Sequence, residues 1–207
     1  VENNLSSDNT GVGYYALNAN TTGTQNVAVG AQALDANTTA SYGTAIGYGA
    51  LGANLTGANN TAVGHGTLAA NTTGSENVAM GRVALAANTT GTNNIALGYG
   101  SLDANTTASY NIAIGRDALT NNTTGSPNIA IGYDALGDNT TAGSNTAIGH
   151  NCLALNTTGS DNVAVGNYAL DANTTASYNT AVGRNTLTAN TTGCLLYTSP
   201  SPRDTDL

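Results

Sequence analysis

The chain of 207 residues contains no Phe, Trp or Lys, and only 8% of its residues are charged. Its formal net charge is −8, and no Lys and Arg cluster is present, which disfavours nucleic acid as a partner. No apolar run approaches the ~20 residues of a membrane-spanning helix, so we expect no membrane insertion of this segment.

A repeat of seventeen residues begins at Asn9 and recurs in eleven copies without insertion. Numbered from its first Asn, the unit reads N-x-A-V/I-G-x-x-A-L-x-A-N-T-T-G-S-x. Position nine is Leu and position twelve is Asn in every copy. Hydrophobic residues make up 40% of the chain and fall in fixed positions, which argues against disorder.

The two ends of the chain depart from this array. Residues 1–8 align with positions ten to seventeen, which predicts part of a preceding coil, and residues 9–193 form the eleven-coil repeat domain. Residues 194–204, CLLYTSPSPRD, resemble the translation of a transposase adapter used to prepare DNA for sequencing. We therefore expect residues 194–207 to be disordered and to take no part in the fold.

Each unit is predicted to contain two short strands. Positions one to five, as in NVAVG at 26–30, alternate with period two and carry β-branched residues at positions two and four. Positions seven to eleven, such as QALDA at 32–36, predict a second strand that directs Leu inward. The N-T-T-G segment has the chemistry of a turn. Gly, Asn, Thr and β-branched residues are poor helix formers, which disfavours a helical unit.

Two strands and two turns per unit predict one coil of a parallel β-solenoid, an all-β fold. Coils stacked at ~4.8 Å place each position on its own copies, in a rod roughly 50 Å long. Identical residues then form ladders, and an inward Asn ladder can exchange side-chain hydrogen bonds between coils. The predicted structural ladders include Leu17, Leu34, Leu51, Asn20, Asn37, Asn54, Gly30, Gly47 and Gly64.

Positions three and five are almost always Ala and Gly, and this pattern leaves two interpretations open. A face of such small residues lets another backbone approach closely, which predicts lateral association of parallel copies, most simply as a homotrimer. Alternatively, Ala and Gly only relieve crowding within one chain.

The segments NVAVG, TAIGYGAL and NIAIGRDAL resemble the head repeats of trimeric autotransporter adhesins, the YadA-like heads, and related arrays in bacterial surface proteins and phage tail fibres. The resemblance covers residues 9–193. It implies a left-handed parallel β-roll with three chains to a head, displayed outside an outer membrane or on a virion. It therefore implies a non-catalytic structural or adhesive segment of a trimeric extracellular fibre. The best-known head repeats are shorter, and the receptor and the choice between adhesin and tail fibre stay open.

The sequence has no pattern typical of a catalytic or metal site, so we expect no enzymatic activity, metal or cofactor. His65 and His150 share position six but lie five coils apart, too far to share a metal within one chain. Acids such as Asp103 and Asp171 lie four coils apart, beyond the spacing of a catalytic carboxylate pair. Cys152 is the one cysteine outside the suspected tail, so no disulfide is inferred. The eleven N-x-T triplets that begin at position twelve, from Asn20 to Asn190, match the glycosylation sequon, but an inward-facing ladder explains them better.

Position six varies among large polar residues and predicts a ridge along the rod. Because Tyr and Arg are typical contact residues, the ridge is a candidate binding surface, and a solvated edge that tolerates any polar residue is the alternative. The Asn and Thr residues at positions twelve and fourteen raise a second possible function, a flat face that binds ice or another extended ligand. The ridge residues are Tyr48, His65, Arg82, Tyr99, Arg116, Tyr133, His150 and Arg184.

Overall fold

The computed structural model describes residues 7–198 as a stack of short strands. All neighbouring strands pair in parallel and in chain order, in one sheet that runs from β1 to β12. The all-β parallel solenoid predicted from the repeat is confirmed, and its left-handed sense stays a prediction. The strands are β1 (Thr10–Val12), β2 (Val27–Val29), β3 (Thr44–Ile46), β4 (Thr61–Val63), β5 (Val78–Met80), β6 (Ile95–Leu97), β7 (Ile112–Ile114), β8 (Asn128–Ile131), β9 (Asn145–Ile148), β10 (Val163–Val165), β11 (Thr180–Val182) and β12 (Tyr197–Thr198).

The pairing register follows the seventeen-residue unit at every strand. In the β2–β3 pair, for example, Ala28 lies beside Ala45 and Val29 beside Ile46. The same offset relates all the other strand pairs. Because the unit never gains or loses a residue, each position lies directly on its own copies.

The second strand predicted in each unit does not form, because positions six to eleven fold as turns throughout the repeats that the structure describes. The backbone explains this difference. Positions seven and nine have left-handed φ values, such as 57° at Asp117 and 52° at Leu119, whereas strand residues need negative φ. The turns still stack, since the N–H of Leu34 donates to the carbonyl of Ala50 at 3.0 Å.

The core inside the coils is narrow and consists mainly of Leu and Ala. The Leu residues at position nine from Leu17 to Leu170 are fully buried, and the Ala residues at position three from Ala28 to Ala181 point inward beside them. Gly30 has a φ of 138°, and a Cβ there would lie 2.5 Å from the carbonyl oxygen of Gly47. The small residues therefore serve packing within one chain. The interpretation that they form a contact face for another copy is wrong.

Two ladders of buried Asn side chains link the coils. At position twelve, Asn88 Nδ2 donates to Asn71 Oδ1 at 2.8 Å and to the carbonyl of Gly91 at 3.0 Å. At position one, the backbone N–H of Asn94 donates to Asn77 Oδ1 at 3.0 Å. The ladder at position twelve was predicted from the repeat, whereas the ladder at position one was not.

The stack continues past the predicted end of the repeat domain. Residues 194–207 were expected to be disordered, but Tyr197–Thr198 pair with β11, and the N–H of Thr180 donates to the carbonyl of Leu196 at 2.8 Å. The edge of β11 offers backbone groups that an extended segment can pair with whatever its side chains are. Residues 1–6 and 199–207 lie outside the described residues, as do the predictions made for them. No helix able to span a membrane occurs in residues 7–198.

Candidate functional site

The outer surface of the sheet is largely aliphatic, since position four is aliphatic in all eleven copies and position two is Val or Ile in six copies and Thr in five. Side chains alternate along a strand, so the inward Ala at position three sends positions two and four outward. Leu occupies the interior of each coil, which leaves room there for Ala but not for the larger β-branched residues. Many outward side chains are more than one third exposed, with 41% for Ile46 and 45% for Met80. The others are Val12, Val27, Val29, Val78, Ile129, Ile148, Val163 and Val182.

This face extends along the whole rod, and position four keeps it aliphatic on every rung, whereas Thr replaces Val or Ile at position two on five rungs. Strands of three residues are ~10 Å wide, and eleven rungs at ~4.8 Å make the face about 50 Å long, or about 500 Å² in planar area. None of the eleven copies carries a charged residue at positions two to four. Continuous apolar patches of this size are at the upper end for monomeric soluble proteins, and they mark interaction surfaces.

The position-six residues form one edge of the aliphatic face, and we call them the position-six row. Tyr48 stacks on His65, with ring centroids 5.3 Å apart and planes inclined by 21°. The Arg82 guanidinium lies 5.5 Å from the ring centroid of Tyr99 and donates to its hydroxyl at 3.2 Å. Arg116 lies on the other side of Tyr99, also 5.5 Å from the centroid. Tyr48, Arg82 and Tyr99 are thus each in contact with the side chain that the next coil places in the row.

The same stacking continues toward the end of the row. Arg116 lies 5.8 Å from the ring centroid of Tyr133, which in turn stacks on His150 at 5.1 Å. His150 also meets the edge of Tyr168, a position-seven residue, at 5.2 Å. Because the ring faces contact one another along the rod, the hydroxyl, imidazole and guanidinium edges are the groups available to a partner.

The predicted ridge is therefore an ordered row, and it concentrates the cationic side chains of an acidic chain. All Arg residues of the described part, Arg82, Arg116 and Arg184, lie in it, together with both His residues. Arg184 belongs to the last copy and is exposed. Whether the row binds a receptor stays a prediction.

Carboxylates lie beside the position-six row. Arg116 Nε donates to Asp117 Oδ2 at 3.0 Å. Burial raises the pKa of Asp134, and the negative charges of Asp138 and Asp117 raise it further, against a smaller lowering by His150. Within residues 7–198, no three His, Cys, Asp or Glu side chains are placed to hold a metal ion.

Cys152 replaces Ala at position eight of its coil and is fully buried. Its thiol donates to the carbonyl of Ala164 at 3.2 Å. Burial raises the pKa of the Cys152 thiol to about 12, so it stays protonated at neutral pH. The side chain acts as a core residue.

A second exposed row lies at the opposite edge of the aliphatic face, at position seventeen, immediately before the Asn that precedes each strand. Tyr42, Tyr110 and Tyr178 are 57%, 64% and 60% exposed, and Glu76 and Asp161 are exposed in the same row. We call these residues the position-seventeen row. This row was not predicted from the sequence, although its varied polar and aromatic residues are the same signal that identified position six.

The flat face predicted from the Asn residues of position twelve and the Thr residues of position fourteen does not form. The Asn residues of position twelve are buried from Asn20 to Asn173, whereas the Thr residues of position fourteen are exposed in every copy. Of these two positions, only the Thr side chains of position fourteen therefore reach the solvent. The buried Asn residues of position twelve also begin N-x-T triplets, and their side-chain amides bond to neighbouring coils in the interior.

The candidate site is a surface, bounded by the position-six row on one side and the position-seventeen row on the other. Its aliphatic centre, ~10 Å wide, suits an elongated apolar partner that lies along the rod. Neither a protein-family model, nor a curated protein, nor a solved structure matches this chain.

Proposed function

We propose that this chain is a non-catalytic structural segment of a trimeric extracellular fibre, either an adhesin head or a phage tail fibre. Three parallel copies would bury their aliphatic faces against one another and hold other parts of the fibre away from its anchor. The observation that carries this proposal is an uncharged outer face that is aliphatic at position four in every copy and at position two in six of eleven copies. The resemblance of the repeats to trimeric adhesin heads supports the number of copies.

The dimensions of the face suit such an arrangement. Three such sheets, placed around an axis parallel to the rod, would each turn their position-two and position-four side chains toward that axis on every rung. The face supplies about 500 Å² per chain, and its two bordering rows would bring the contact toward the ~800 Å² per partner of a typical stable interface.

Light scattering on the full-length chain tests the proposal. We expect a mass three times the 20.5 kDa of one chain. The double variant Val78→Glu with Met80→Glu places charge on two exposed residues of the face and should abolish association while the β-type circular dichroism is retained. Thr90→Glu, at an exposed residue of position fourteen, is the matched control and should leave the mass unchanged. A folded wild-type chain with the mass of a monomer would refute the proposal.

A further inference from the structure

We propose that the position-six row of one copy pairs with the position-seventeen row of the next copy, rung by rung, and that these pairs set the parallel register of the assembly. This inference rests on the proposed function, because it requires copies that associate through their aliphatic faces.

The geometry follows from the order of residues around each strand. Glu76 precedes β5 by two residues, and Arg82 follows β5 by two residues, so both belong to the same rung at opposite edges of the face. In a ring of copies around an axis parallel to the rod, each copy presents one edge to the opposite edge of its neighbour. A closed ring permits no axial shift, so residues of the same rung meet.

The residues that would meet are chemically complementary. Glu76 and Arg82 carry opposite charges, and both are exposed on the single chain. On two other rungs a Tyr faces an Arg, which suits a contact between a guanidinium and an aromatic ring. No rung places two like charges together. The most complementary pairs are Tyr42 with Tyr48, Asn59 with His65, Glu76 with Arg82, Tyr110 with Arg116, and Tyr178 with Arg184.

Contacts within one chain prepare the position-six row for this role. Arg82 forms no ion pair with Glu76 of its own rung and is held instead against Tyr99. Arg116 is likewise held between Tyr99 and Tyr133. Side chains already ordered in the free chain lose less conformational entropy when a second copy binds. The stacked row therefore presents pre-oriented donors to the neighbouring copy.

Disulfide trapping tests the pairing directly. In the full-length chain with Cys152→Ala and Cys194→Ser, the variant Asn59→Cys with His65→Cys places thiols at both edges of one rung. A bond within one chain is excluded, because the intervening strand of ~10 Å exceeds the ~7 Å Cα limit of a disulfide. Mild oxidation should therefore give covalent dimers and trimers on a non-reducing gel. The control Asn59→Cys with Tyr99→Cys is two rungs out of register, ~10 Å along the axis, and should remain uncrosslinked.

Charge exchange provides an independent readout. Glu76→Arg should lower the association constant about five-fold for each contact, and adding Arg82→Glu should restore it. Light scattering on the same samples separates the two proposals. A monomeric chain refutes the proposed function itself. If the chain associates, three results would refute the rung pairing alone. These are no crosslink between positions 59 and 65, equal crosslinking in the control, and no recovery of association when Arg82→Glu is added to Glu76→Arg.

Discussion

Replacement of Asn88 by Ala should lower the free energy of unfolding by about 4 kcal/mol, because it interrupts the position-twelve ladder in the middle of the rod. Asn88 is fully buried. Its Nδ2 donates to Asn71 Oδ1 and to the carbonyl of Gly91, and its Oδ1 accepts from Asn105 Nδ2 at 2.8 Å.

The magnitude follows from the groups that lose a partner. The Gly91 carbonyl also accepts from Asn77 Nδ2 at 2.9 Å and stays satisfied. Asn71 Oδ1 and one N–H of Asn105 Nδ2 lose the bonds that Asn88 supplied. A buried polar group without a partner costs ~1–3 kcal/mol, so two such groups cost about 2–6 kcal/mol.

Urea unfolding followed by circular dichroism at one fixed protein concentration measures the effect. Thr90→Ala removes an exposed side chain in the same coil and should change the free energy of unfolding by less than about 0.5 kcal/mol. Asn190→Ala removes the half-buried residue at the end of the position-twelve ladder and should lower the free energy of unfolding by about 1–2 kcal/mol. Equal stabilities of Asn88→Ala and Thr90→Ala would show that the ladder hydrogen bonds do not stabilise the fold.

Three further substitutions should stabilise the chain. Gly43 interrupts the position-one ladder, and a Cβ there would lie 3.0 Å from Asn26 Oδ1, so the Asn26 side chain must shift by a few tenths of an ångström to admit it; Gly43→Asn should add about 1–2 kcal/mol in urea unfolding by accepting the Asn60 N–H, and more than Gly43→Ala. Val83 is a β-branched residue with a φ of 52°, so Val83→Asn should raise the midpoint of thermal unfolding by relieving about 1 kcal/mol of strain. Burial and nearby carboxylates raise the pKa of Asp134 in the folded state, so stability falls as pH rises from the unfolded pKa of ~3.9 to the folded pKa. Asp134→Asn should therefore increase stability at pH 7 and flatten this decline. Asp8→Asn, at an exposed residue, is the control. If both variants kept the pH profile of the unmodified chain, Asp134 would not be the group responsible for the decline.

The solenoid and its ladders could be predicted because eleven copies keep one length and one order of residues. Such constancy requires that every copy has the same surroundings, and only stacked coils provide them. Leu at position nine could be placed inside for the same reason, since no polar residue ever replaces it.

The conformation of positions seven to eleven could be predicted only in part. Position seven is Gly in three copies and Asn or Asp in four, such as Gly66 and Asn151, which is a signal for left-handed φ. Position nine gives no such signal. Leu102 adopts a φ of 54° because burial of its side chain offsets the cost of a conformation that Leu otherwise avoids.

The alternation of Ala with Val and Ile established, from the sequence alone, that the two faces of each strand differ. Which face is inside was decided only by the tertiary structure. The Leu side chains that share the coil interior come from a turn several residues away in the chain, and the space they leave accommodates Ala28 but not Val27 or Val29. Period-two patterning shows only that the two faces of a strand differ. The volume available inside the coil depends on the Leu side chains that pack opposite the strand. Because that volume is small, the aliphatic residues form the outer face of the rod.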